Sequence, residues 1–295
     1  MSLIRINSGD PLPALCPAPG VGVTILIHGY RYDPADPEND PHREILSLIP
    51  VDRPRIPSWP RKLGFGQPQP HGGSRLCIAF GWPARGSLWQ AYAAAGRAGA
   101  DLARMITHLR AAGAGEVSVL AHSLGARVAL CALPDLMAGD VRRMVLLTGA
   151  EFTPAAQRAL QSPAGRLLEV LNITSRENDL FDLMFEMTLS PLGRRGRALG
   201  TGFDAAQVLT VQIDCPAHRA ALHRLGHRIA PPSARICHWS AYLRPGLFPL
   251  YRRFLHRPET LPFAALRTNL PRNQAPRWSR LVSPHGAGFG QSTPA

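Results

Sequence analysis

Lysine is nearly missing from this chain. Lys62 is its only lysine, and the remaining basic residues are arginines. Acidic residues are also scarce, 20 against 33 Lys plus Arg, which leaves a formal charge of +13. The five cysteines, Cys16, Cys77, Cys131, Cys215 and Cys237, are scattered, odd in number and free of any Cys-x-x-Cys spacing. That pattern argues against a disulfide framework and for a reducing compartment. Met1–Asn7 lacks the apolar core of a secretion signal, and no run is long and apolar enough to span a membrane. A cytoplasmic protein without a transmembrane segment is the expectation. The densest basic cluster, Arg194-Arg195-Gly196-Arg197, is short and carries no alternating aromatics, so no nucleic-acid partner is expected. The charge reads as an arginine-rich solvated surface; its functional counterpart is attraction to nucleic acid, anionic lipid or an acidic substrate.

What is present suffices for one large domain. The chain has 295 residues, of which 45% are hydrophobic, enough to bury a substantial core. Residues 1–20 read as a Pro-rich lead-in. Strands are expected at 21–28, 74–80, 116–122, 141–148, 167–174 and 206–214, each an apolar and often β-branched run. A long helix is expected over 87–112, where Leu102, Met105, Ile106 and Leu109 form one stripe. Strands alternating with helices predict an α/β fold: a doubly wound, mostly parallel sheet with helices on both faces. The domain should cover 21–255, with an irregular insertion at 31–73 holding a short helix near 43–49, and a possible lid at 180–205. Residues 256–295 read as a Pro/Arg-rich tail, packed in part around Leu261–Leu266 and loose after Gln274.

The chemistry centres on Ala121-His122-Ser123-Leu124-Gly125, between an apolar strand and an apolar helix. This is a Gly-x-Ser-x-Gly nucleophile elbow with Ala in the first position. A sharp strand-to-helix turn lifts the serine hydroxyl off the sheet, and the residues two before and two after must be small because neighbouring backbone passes close by. A serine needs a base, and the base needs an orienting acid. In a doubly wound sheet these collect at the carboxyl ends of strands, and the order Ser123, Asp179, His238 follows the chain. Asp179 is the favoured acid, with Glu177 and Asp182 as runners-up and Glu151 behind them. His238 is the favoured base because it sits in a post-Pro loop between Cys237 and Trp239; His218, His223 and His227 read as surface residues of a helix. His223 and His227 are four apart, but no further ligand completes a metal site, so no metal is expected. His28 and His122 read as structural groups beside the site. The oxyanion donors are expected from Leu124 N–H and from Tyr30 N–H, or Arg31 in its place. Trp82, Phe181 and Trp239, with Met184 and Phe185, are candidate pocket walls.

His28-Gly29-Tyr30, the 121–125 elbow, Ser175-Arg-Glu-Asn-Asp179 and His238-Trp-Ser-Ala-Tyr242 resemble the α/β-hydrolase superfamily over about residues 20–255. Gly81-Trp82-Pro83 and the His-Gly-Tyr strand end look closest to a bacterial group of α/β hydrolases of unknown function. The resemblance implies the fold, a Ser–Asp–His triad and an ester-like substrate class, with no cofactor. The expected function is therefore a serine hydrolase cleaving a carboxylic ester or thioester of a small acyl substrate. Two alternatives use the same fold: an acyltransferase with the same triad, and a non-catalytic binding or scaffold protein carried by the basic surface.

Overall fold

The computed structural model describes residues 3–13, 17–51, 53, 56–67, 75–203 and 205–282. Cys16, the end of the insertion through Ser74 and the last residues of the tail lie outside these. Seven strands form one sheet: β1 (Leu3–Asn7), β2 (Gly22–Ile27), β3 (Arg75–Gly81), β4 (Val117–His122), β5 (Val141–Leu147), β6 (Glu169–Thr174) and β7 (Val208–Gln212). Their order is β1-β3-β2-β4-β5-β6-β7 and every pairing is parallel. Strands buried on both faces read as continuous apolar runs, which is why Val23–Ile27 and Val117–Ala121 were legible as strands.

One face is covered by α2 (Leu88–Ala111), α3 (Leu124–Ala132), α4 (Thr153–Leu160), α5 (Pro163–Arg166) and α6 (Asp179–Leu189). Ser87 caps α2 with a full capping box through Gln90, satisfying two of the helix's orphan N–H groups. The other face is covered by α1 (Trp59–Lys62), α7 (Pro216–Arg224), α8 (Ser240–Leu243), α9 (Leu247–His256) and α10 (Phe263–Asn269), followed by the short α11 (Ser279–Val282). Each Leu, Ile or Phe buried here contributes about 1.5–3 kcal/mol.

Three expectations need correction. Residues 3–7 are not a lead-in but the edge strand β1, tied to the insertion by a 2.7 Å bond between Asn7 Oδ1 and His42 Nε2. The insertion has turns, not a helix, over 43–49. Its helix comes later, at Trp59–Lys62, where Ile45, Leu46, Trp59, Leu63 and Phe65 pack into the second-face core. The tail stays packed beyond Gln274: Ala275 N–H donates to Gln212 Oε1 at 2.7 Å, and Trp278 N–H donates to Asp179 Oδ2 at 2.6 Å.

Candidate active site

Strand order sets the position of the site. Interior strand β2 has β3 on one side and β4 on the other, so the chain leaves the sheet in opposite directions and opens a crevice at the strands' carboxyl ends. Ile27 pairs with Ala121, which sets His28-Gly29-Tyr30 beside His122-Ser123-Leu124.

The elbow is backbone-strained. Ser123 has φ +52° and ψ −125°, a region that a non-glycine residue occupies only when its surroundings force it. Its N–H donates to Leu147 O, and its carbonyl accepts from Ala150 N–H. The small neighbours are required by contact. A Cβ on Gly125 would lie 2.5 Å from His28 O, and one on Gly29 would lie 2.8 Å from Ser123 Cβ.

Ser123 opens into a cavity of about 350 Å³ lined by Gly29, Tyr30, Arg31, His122, Leu124, Asn178, Phe181, His238 and Trp239, among others. Leu88, Met184 and Phe185 extend its apolar wall. Ser123, His238, Tyr30, Leu124, Phe181 and Trp239 are therefore brought together on one cavity. Trp82 is not. It lies fully buried in the core, with its indole stacked on His28 and Nε1–H donating to His28 O at 3.1 Å. The Arg31 amide is also engaged elsewhere, donating to Ala84 O at 2.8 Å.

Asp179 does not reach His238. It accepts from Arg176 Nη1 at 3.2 Å and from Trp278 N–H at 2.6 Å. Burial raises its pKa, opposed by the Trp278 N–H and by Arg176. The partner of His238 Nδ1 is Asn178 Oδ1, at 2.6 Å. Behind Asn178 stands Asp182, which shares a side-chain hydrogen bond with it. Asn178 presents Oδ1 to the imidazole, and an amide oxygen can only accept; its NH₂ faces Asp182. That orientation leaves the His238 proton on Nδ1 and Nε2 bare. Asp182 is buried, and loss of water pushes it up to about 7, partly offset by Asn178. Among the described residues its Oδ2 has no hydrogen-bond partner, and a Cβ on Gly200 would lie 2.4 Å from that atom. Glu177 accepts from Ser175 Oγ at 2.9 Å and pairs with Arg244, and Glu151 pairs with Arg127.

The other faces of His238 are packed rather than charged. Phe181 stacks on it at 4.9 Å and His122 lies at 4.7 Å. Thr148 Oγ1–H donates to the His238 carbonyl at 3.3 Å. Burial lowers the imidazole to about 4. His28 holds the adjoining loop: its Nε2 accepts from Trp82 N–H at 3.0 Å, so Nδ1–H donates to Gly29 O at 2.9 Å. His218 and His227, read from the sequence as surface residues, are buried. Sequence reasoning passed over Asn178 because it sought a carboxylate. The available signal was spacing: Asn178 and Asp182 are four apart and so share one helical face, whereas Asp179 is rotated by about 100° from Asn178.

Residues 69–152 match the family described as alpha/beta hydrolase of unknown function (DUF900). No curated protein sequence matches the chain. Among solved structures, the lin2722 gene product of Listeria innocua is 13% identical, with 80% of this chain and 94% of that one covered at a TM-score of 0.42. A proposed cell surface hydrolase from Lactobacillus plantarum WCFS1 is 14% identical, with 55% and 70% covered at a TM-score of 0.32. With seven parallel strands and helices on both faces, the described residues have the α/β-hydrolase fold, and the stretch from β3 through the elbow and β5 is similar to that alpha/beta-hydrolase family, a likeness that supports hydrolase-type activity.

Proposed function

We propose that this protein is a serine hydrolase cleaving a carboxylic ester or thioester through an acyl-enzyme on Ser123. One observation carries the reading. A serine held at positive φ on a strand–helix turn shares a cavity with His238, whose Nδ1 is bonded to Asn178 Oδ1. Ser123 Oγ attacks the acyl carbon while His238 Nε2 takes its proton. The oxyanion is held by the Leu124 and Tyr30 N–H groups. The adduct collapses, His238 protonates the departing alcohol or thiol, and water activated by the same imidazole then attacks the acyl-enzyme. That step releases the acid and returns the proton to Ser123. Asn178 acts as the orienting group in place of the expected Asp179, and Asp182 fixes the orientation of the Asn178 amide. The Phe181, Phe185, Met184 and Trp239 walls fit an apolar acyl group.

The test is labelling with a fluorophosphonate probe, which reports an activated serine without knowledge of the substrate. Wild type is expected to label and to hydrolyse p-nitrophenyl esters, while Ser123→Ala and His238→Ala do neither. A folded wild type that neither labels nor turns over any ester or thioester would overturn the reading.

A further inference from the structure

Large apolar side chains stand exposed around the mouth of the cavity. On α6, Phe185 and Leu189 face the core, while Leu180, Met184 and Met187, at i, i+4 and i+7, point outward. Trp239 lines the cavity beside Phe181 of α6, and Trp89 is next in sequence to the cavity-lining Leu88. Leu192 follows α6 in the loop that also carries Arg195, whose guanidinium sits 5.5 Å from the Trp89 ring. Exposure of these six ranges from 36% for Leu180 to 74% for Leu192. Met184 and Trp239 line the cavity and the other four stand on or beside the elements that wall it, a concentration unlike the single apolar residues scattered on ordinary surfaces.

The rim is edged with positive charge. Arg194, Arg195 and Arg197 are exposed in the loop after α6, and Arg31, also exposed, lines the cavity itself. The acidic groups on this side are engaged: Glu186 pairs with Arg277, Asp36 with Arg85, and Asp182 is buried. Exposed Trp, Met and Leu flanked by arginines are what an anionic bilayer surface takes up. The apolar groups enter the acyl boundary and the arginines meet the headgroups.

We propose that this rim docks the protein onto an anionic lipid surface, so that the cavity receives an acyl ester directly from the bilayer. The delivery of substrate rests on the ester-hydrolase reading above; the docking itself does not. A protein partner or a second copy seated on the same face would cover the mouth through which an apolar substrate must enter, whereas a bilayer supplies the substrate through it.

Flotation of the full chain with phosphatidylcholine vesicles, with and without phosphatidylglycerol, tests the surface. Wild type should float with the phosphatidylglycerol vesicles, bind pure phosphatidylcholine at least about tenfold more weakly, and release as salt rises. Met187→Glu/Leu192→Glu and Arg194→Ser/Arg197→Ser should each lose about tenfold or more in binding. Both should keep the wild-type circular dichroism and the wild-type rate on soluble p-nitrophenyl acetate. Wild type that stays unbound, equal binding to both vesicle types, or variants that float like wild type would each overturn the proposal. Ser123→Ala should float unchanged. A chain that floats but cleaves no ester overturns the catalytic reading alone, and one that cleaves esters but never floats overturns this surface alone.

Discussion

At His238, the proton on Nδ1 is held by an amide oxygen and not by a carboxylate. The tautomer is the one a general base needs, because Nε2 is left free, but no negative charge adjoins the ring to favour the imidazolium. Burial lowers the imidazole to about 4, so the base loses activity only as pH falls through about 4. The acid limb of kcat/KM should therefore lie well below the ordinary histidine value. Asn178→Asp sets an opposite charge beside Nδ1 and should move that limb upward. Asn178→Ala frees the ring and should cost roughly a thousandfold or more in kcat. Asp182 is the opposite case. Its folded value, about 7, lies above the usual 3.8, so its contribution to stability is fully present below about 3.8 and is lost as pH rises through 7. Asp182→Asn keeps the shape without the charge. Its melting temperature should gain on wild type between pH 5 and pH 8, as thermal unfolding followed by circular dichroism would show.

Among the elements, the polypeptide after α10 does more than its composition suggests. Arg176 Nε–H donates to Ala275 O at 2.9 Å, and Asp179, at the start of α6, accepts from Trp278 N–H. Ending the chain after Gln274 leaves the buried Asp179 with Arg176 as its remaining hydrogen-bond partner of the two. The melting temperature should fall by roughly 3–10 °C, and α6, which walls the cavity, should loosen with it. Such contacts are not legible in a run of Pro, Arg and Asn, because they depend on distant strand ends. The central strands, α2 and the elbow were legible, because their apolar spacing and small residues encode burial locally. β1 was not, since five alternating residues beside a proline-rich stretch carry too little burial to mark a strand. The acid position was misread by one residue for a geometric reason: at a helix start, each step turns the side chain to a new face, and sequence alone does not say which face meets the imidazole.

Over the whole molecule, histidine is the main pH liability. Burial depresses His28 and His256 to about 3 and His227 and His238 to about 4, and holds His122 well below 6.5. Each folded value lies below the unfolded one, so the native state prefers the neutral ring. Stability is present above about 6.5 and is lost as pH falls from there toward 3–4. Thermal melts at pH 7, 5 and 4 should show a progressive drop that begins above the carboxylate range. His256 has a second consequence. Its Nε2 lies 3.0 Å from Thr24 Oγ1 on β2, and α9 supplies Leu250, Tyr251 and Phe254 to the face that also buries Leu26, Leu120 and Leu147. During synthesis, β5 leaves the ribosome about a hundred residues before α9 does, a delay of roughly 5–20 s at ordinary elongation rates. Through that interval the part of this face that α9 covers stays open, so the yield of active protein should depend on translation speed and on chaperones that shield it.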